Sequence, residues 1–286
     1  MPRFAPQNGA ATESRPAKLA LVGGGNMARA ILMGALDSGV AEPWEVIVAD
    51  PSAPQRSVLE SVGIRCAEHA ADLARWMNDD TQLMLAVKPQ MLAGAAADTR
   101  ALLESSRVVI SILAGTPTEK VRAALGDNAR MVRAMPNTPV RVRRGMAAVA
   151  LGAGALDDDD DLAVRLFQAV GDVVRIEESM MDAFTAVVGS GPAYIFYVAE
   201  AMVEAAEELG FDSPTADRIV RNTIRGAGAL MCELLDSTPT ELREAVTSKG
   251  GTTAAALAVL DDHEVRAAVV KAIAAAKNRG VELAKG

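Results

Sequence analysis

Cysteine, histidine and aromatic side chains are all scarce in this chain. It has two cysteines, Cys66 and Cys232, two histidines, His69 and His263, and only 3% aromatic residues among 286. Two cysteines this far apart, without metal-ligand spacing, argue against a disulfide framework or a zinc site and fit a reduced, cytoplasmic protein; no metal is expected. No motif frames either histidine in a Ser/His/Asp arrangement, so both read as surface or capping residues. Few aromatics beside 23 glycines favour closely packed helices over an all-β sandwich. The net charge of −8 leaves no basic face for a nucleic-acid partner. Residues 1–17 have three prolines and no apolar run, which suggests a disordered tail and not a signal peptide. The longest uncharged stretch, Ala183 to Ala199, is broken by Gly189-Ser-Gly-Pro192, so a buried helix behind a tight loop is expected there instead of a membrane span.

What is present begins with Lys18-Leu-Ala-Leu-Val22, a short buried strand that runs into Gly23-Gly-Gly-Asn-Met-Ala28 and an apolar-periodic helix. Strand, G-x-G-x-x-A, helix is the dinucleotide fingerprint: the glycines turn the chain and admit a pyrophosphate, and Ala28 allows close helix packing. A second strand, Val46 to Ala49, ends at Asp50, the distance downstream where an acid meets the adenosine ribose and favours NAD. Ser52 and Arg56 point the other way, since they could hold the 2′-phosphate of NADP. Strands are expected at 83–87, 108–112, 131–134 and 146–151, with helices at 90–103, 117–125 and 162–170. The loops Val87-Lys-Pro89, Leu113-Ala-Gly115 and Met135-Pro-Asn-Thr-Pro139 follow strand ends and should border one crevice. Lys88 reads equally as a cofactor contact or a loop cap. The acidic run Asp157 to Asp161 reads as helix capping and solvation.

From Asp182 onward only helical patterns remain, with starts at Ser213-Pro214 and Thr238-Pro239 and a stop at Gly210. The expected fold class is therefore α/β: a tail over 1–17, a Rossmann-type dinucleotide-binding domain over 18–180, and an all-α domain over 181–286 whose small residues suit tight, intersubunit packing. Within the helical part, Val246-Thr-Ser-Lys-Gly-Gly-Thr-Thr253 opens an alanine-rich helix. It reads either as a socket for a small anion or as a threonine N-cap after a glycine-rich loop.

Gly23-Gly-Gly-Asn-Met27, Ala86-Val-Lys-Pro89, Met135-Pro-Asn-Thr-Pro139, Gly189-Ser-Gly-Pro-Ala-Tyr194 and Val246 to Thr253 together resemble the pyrroline-5-carboxylate reductases in order and spacing, over residues 18 to about 285. The resemblance implies NAD(P)H-dependent reduction of 1-pyrroline-5-carboxylate to L-proline, the last step of proline synthesis, in a homo-oligomer of at least a dimer and often a decamer. It implies NADP(H) as coenzyme, with NAD as the alternative. Cofactor contacts would fall on Val22, Gly23, Gly24, Gly25, Asn26, Met27, Ala86, Val87, Lys88, Pro89, Ile112, Leu113 and Ala114, beside Asp50, Ser52 and Arg56 from the strand-end reading. Substrate contacts would fall on Ser248, Gly251, Thr252, Thr253 and Asp236, with Thr253 as the catalytic residue, its hydroxyl hydrogen-bonded to the ring nitrogen. Two positions depart from the family pattern: Lys249 stands where proline is common, and Asp236 is shorter than the expected glutamate. The alternatives are a β-hydroxyacid dehydrogenase-like oxidoreductase and a non-catalytic NADP-binding scaffold. The dehydrogenase would want a lysine on the helix from Pro192 to Leu209, which has none.

Overall fold

A computed structural model describes residues 15–285. The chain forms two compact units, one running to Gly189 and resuming at Lys277, the other spanning Ser190–Ala276. The first unit is built on eight strands: β1 (Leu19–Val22), β2 (Val46–Ala49), β3 (Arg65–Ala67), β4 (Gln82–Leu85), β5 (Arg107–Ser111), β6 (Ala129–Pro136), β7 (Gly145–Leu151) and β8 (Gly171–Arg175). They form one sheet in the order 3-2-1-4-5-6-7-8. β1 to β6 are parallel, β7 runs antiparallel to β6, and β8 is parallel to β7. Its helices are α1 (Asn26–Asp37), α2 (Ala53–Glu60), α3 (Leu92–Thr99), α4 (Thr118–Leu125), α5 (Asp161–Gln168) and α6 (Met181–Phe184).

Alternate residues of β1 serve opposite core layers. Leu19 and Leu21 join Ile31, Leu32, Leu59 and Phe167 of α1, α2 and α5, whereas Ala20 and Val22 join Leu92, Ala96, Val121 and Leu125 of α3 and α4. A sheet covered on both faces reads as unbroken apolar runs, which is why β1, β2, β4 and β5 are legible in the sequence. β3 and β8 are not: three residues carry no period, and β8 is an edge strand with Asp172 and Arg175 exposed. The expected helix over 90–103 is a mixed element, α3 flanked by 3₁₀ turns at Pro89–Met91 and Arg100–Leu103.

Two expectations for this unit change. Most of the presumed tail lies outside the described residues, but Ala17 is buried, its N–H donating to Trp76 O (2.8 Å) and its carbonyl accepting the Thr81 hydroxyl (2.6 Å). The acidic run does not cap α5 through a side chain. Asp159 takes both arms of Arg130 (3.0 and 3.1 Å), and Arg175 bridges Asp160 (2.6 Å) and Asp161 (3.0 Å).

The second unit holds α7 (Gly191–Glu208), α8 (Ser213–Glu233), α9 (Pro239–Ala245), α10 (Thr252–Asp262) and the start of α11 (Val265–Lys285), whose end belongs to the first unit. Asp212 caps α8 by accepting from Thr215 N (2.8 Å), and Thr238 with Glu241 forms a reciprocal capping box on α9. α7 is not the buried helix expected from its composition: Ile195, Phe196, Tyr197 and Val198 are all exposed. Nor does a loop precede it. Thr185–Gly189 form a π turn that runs on into α7, with Pro192 in the first turn, where a missing N–H costs no hydrogen bond. By length and composition alone, the helical stretch Glu178–Glu208 could cross a membrane.

Candidate functional site

β1 has β2 on one side and β4 on the other, so the chain reverses its direction of sheet growth there, and the crevice of such a sheet opens at the carboxyl ends of these strands. The glycine loop lies in that place. Gly23 has φ +102°, and a Cβ on it would lie 2.7 Å from Ala86 O, so the loop after β1 and the loop after β4 meet only because residue 23 has no side chain. Ala86 N donates to Val22 O (2.9 Å) and Ile112 N to Leu85 O (3.1 Å), which brings the Ala86–Pro89 and Ile112–Ala114 segments to the same sheet edge. Gly25 is the N-cap of α1 without a side-chain capping bond, and the space where its Cβ would be is open. The first N–H groups of a twelve-residue helix thus face a cleared approach, which fits a pyrophosphate. Asn26 is exposed beside it and accepts from Arg29 (2.5 Å), and Met27 packs partly against the core. Lys88, Pro89 and Ala114 are exposed, whereas Leu113 is buried.

At the end of β2, Asp50 is buried, and both its carboxylate oxygens are engaged. Oδ2 accepts from Gly24 N (2.7 Å) and Oδ1 from Ser52 N (2.8 Å). Ser52 is the N-cap of α2 by position, without a capping bond from its hydroxyl. Arg56 reaches back from α2, its Nη1 donating to Asp50 O (2.8 Å) and Pro51 O (3.0 Å), while Nη2 lies 3.8 Å from Glu68. At nearby Cys66, burial and then the Glu60 carboxylate push the thiol up to about 12, which disfavours its thiolate. Glu68 is absent from the sequence reading because β3, whose end it follows, is too short to be recognised.

In the second unit, the Val246–Thr253 segment departs from the threonine N-cap reading of the loop. Thr247 turns its hydroxyl back to Arg243 O (2.6 Å), Gly250 has φ +71°, and Gly251 N closes a turn on Ser248 O (3.0 Å). The N-cap of α10 is Gly251, without a side-chain capping bond, and no threonine takes that place. The first-turn N–H groups of this eleven-residue helix are therefore uncapped, with exposed Thr252 and half-buried Thr253 as its first two residues and exposed Ser248 beside them. Asp236 stands exposed in the turn between α8 and α9, and among the described residues no hydrogen bond or ion pair joins it to the loop.

A further set of groups in the first unit was not read from the sequence. Buried Arg133 of β6 pairs with Glu178 (3.4 Å) and Asp182 (3.7 Å), and Glu178 also accepts from Thr118 N (2.7 Å) and its hydroxyl (2.5 Å), capping α4 from a distant part of the chain. The expected loop 135–139 is instead the end of β6 and the start of a 3₁₀ turn, Thr138–Val142; Asn137 between them donates to Val188 O (3.3 Å) in the π turn and accepts from Met146 N (3.0 Å). No local pattern announces partners this far apart in sequence.

Known proteins resemble this chain over most of its length. The family model described as pyrroline-5-carboxylate reductase dimerisation matches residues 178–283, and one described as NADP oxidoreductase coenzyme F420-dependent matches residues 18–115. A pyrroline-5-carboxylate reductase of Synechocystis sp. is 37% identical over 269 residues, covering 94% of this chain and 98% of the relative. The solved pyrroline-5-carboxylate reductase of Coxiella burnetii superposes with a TM-score of 0.86 at 34% identity, over 95% of this chain and 100% of that one. A Plasmodium falciparum pyrroline carboxylate reductase with NADP bound gives 0.81 at 25% identity, over 94% and 98%. Likeness of this extent, end to end in sequence and in backbone, makes the chain a member of the pyrroline-5-carboxylate reductase family.

Proposed function

We propose that the protein reduces 1-pyrroline-5-carboxylate to L-proline with NADPH, the closing step of proline biosynthesis. The observation that carries this reading is the start of α10, a glycine-capped helix mouth with free N–H groups and two threonines, suited to a carboxylate. Residues 18–180 would bind the coenzyme and residues 181–286 the substrate and a second subunit. Val22 to Met27, Ala86 to Pro89 and Ile112 to Ala114 line the dinucleotide crevice, with Asp50, Ser52 and Arg56 at its ribose end. When bound, the reduced nicotinamide supplies a hydride, which adds to the imine carbon while the ring nitrogen keeps its proton.

The chain's own contribution is binding and orientation. Ser248, Gly251, Thr252 and Thr253 hold the carboxylate, the Thr253 hydroxyl also hydrogen-bonds the ring nitrogen, and Asp236 stabilises the positive charge there. A protonated imine is already a good hydride acceptor, so positioning supplies much of the rate and no strong acid is required. The protein would act in the cytoplasm as a homodimer, assembled further into decamers, without nucleic-acid or membrane partners. The helical unit supports the dimer, since it buries only Ala206, Ala216 and Val220 of its own residues.

The test follows NADPH oxidation with pyrroline-5-carboxylate, then NADP reduction with a panel of hydroxyacids, alongside nucleotide binding. Turnover of the imine alone is expected. Turnover of a hydroxyacid, or nucleotide binding without either reaction, would overturn the reading.

A further inference from the structure

β2 and β3 run parallel with Ala49 opposite Ala67, so Asp50 and Glu68 leave two neighbouring strand ends side by side. Their carboxylates have different duties. That of Asp50 is buried and accepts from Gly24 N and Ser52 N, which makes it a positioning residue tying the glycine loop to the start of α2. That of Glu68 is exposed, and its nearest cation is the Nη2 of Arg56 at 3.8 Å, too long for a hydrogen bond. Its other oxygen lies 4.0 Å from His69 Nε2. Arg56 meanwhile is fixed through Nη1 to two backbone carbonyls, so its guanidinium stays at the mouth of β2, and among the described residues no close acceptor claims its other edge.

We propose that Glu68 is a specificity-determining residue for the coenzyme: it competes with the 2′-phosphate for Arg56 and so restrains the preference for NADPH over NADH. The inference rests on the reading of this crevice as an NADP site. A phosphate dianion forms two charge-assisted hydrogen bonds with a guanidinium edge, a stronger partner than a loose carboxylate, so NADP displaces Glu68 from Arg56. The displaced carboxylate remains within a Debye length of the phosphate and repels it. NADH, with a 2′-hydroxyl, neither needs Arg56 nor meets that repulsion. Removing the Glu68 charge therefore strengthens binding of 2′-phosphorylated ligands by about 3- to 10-fold at low salt, an effect that shrinks as salt rises.

Calorimetric titration of the full chain with adenosine 2′,5′-bisphosphate and with 5′-AMP tests this without turnover. Glu68→Gln should tighten the bisphosphate by about 3- to 10-fold while leaving 5′-AMP within about twofold. On an Arg56→Met background the same substitution should lose most of that gain, and Arg56→Met alone should weaken the bisphosphate selectively. An unchanged bisphosphate affinity, an equal change for both nucleotides, or a full gain on the Arg56→Met background would overturn the role of Glu68. A wild-type protein that binds neither nucleotide would instead overturn the coenzyme reading, and this inference with it.

Discussion

Gly23 is held by two independent constraints, a φ of +102° and the carbonyl of Ala86 standing 2.7 Å from where a Cβ would be. Backbone cannot yield as a flexible side chain can, so Gly23→Ala should cost about 1–3 kcal/mol in strain or push the loop off the Ala86 segment. Weaker NADPH binding by calorimetry, with a lowered melting temperature, is the expected outcome; unchanged values for both would show that the approach is not needed. Thr253 is tested by chemistry. Loss of one positioned hydrogen-bonding hydroxyl should cut kcat/KM by roughly 10- to 1000-fold in Thr253→Ala, with Thr253→Ser retaining most of it. Steady-state kinetics equal to wild type would remove Thr253 from the mechanism. Both positions sit in local patterns, and it is such patterns that single residues out in a sequence. Glu68 sits in none: its place beside Arg56 depends on strand pairing, which carries no mark in the sequence near either residue.

Glu178 shows how one side chain can organise several elements. It caps α4 through Thr118, pairs with Arg133 of β6, and lies just ahead of α6. Glu178→Ala should leave Arg133 short of a partner in a buried setting and uncap α4, costing on the order of 1–3 kcal/mol. Urea denaturation should show a lower midpoint at unchanged slope; a midpoint equal to wild type would mean that solvent replaces these bonds at no cost. At this scale legibility followed burial. β1, β2 and β4 to β7 carry apolar runs or alternation strong enough to read, whereas β3 is too short and β8 too polar. The π turn at Thr185–Gly189 escaped because Gly-Ser-Gly-Pro is a loop signal in almost any other context, and only the helical geometry on both sides makes it a widened turn instead.

Across the whole molecule, a change from alternating strands and helices to helices alone made the fold class legible, but the accounting of apolar surface was not. α7 and α8 expose Ile195, Phe196, Tyr197, Leu230 and Met231, and the groove between them is lined by Ile195, Phe196, Val203 and Ile224. A second copy covering this surface predicts a melting temperature that rises with protein concentration, and a Phe196→Asp variant that elutes smaller on size exclusion. A concentration-independent melt with a monomeric mass would contradict it. The path of α11 was equally unreadable, since an alanine-rich helix gives no sign of where its last turns pack. They return to the first unit, where the side chain of Asp182 stands over Gly280 and that of Leu283 over Gly115, each about where a Cβ on the glycine would touch it. The first unit is therefore assembled from two stretches far apart in the chain, and its packing around Gly115 and Asp182 waits on residues synthesised after every strand.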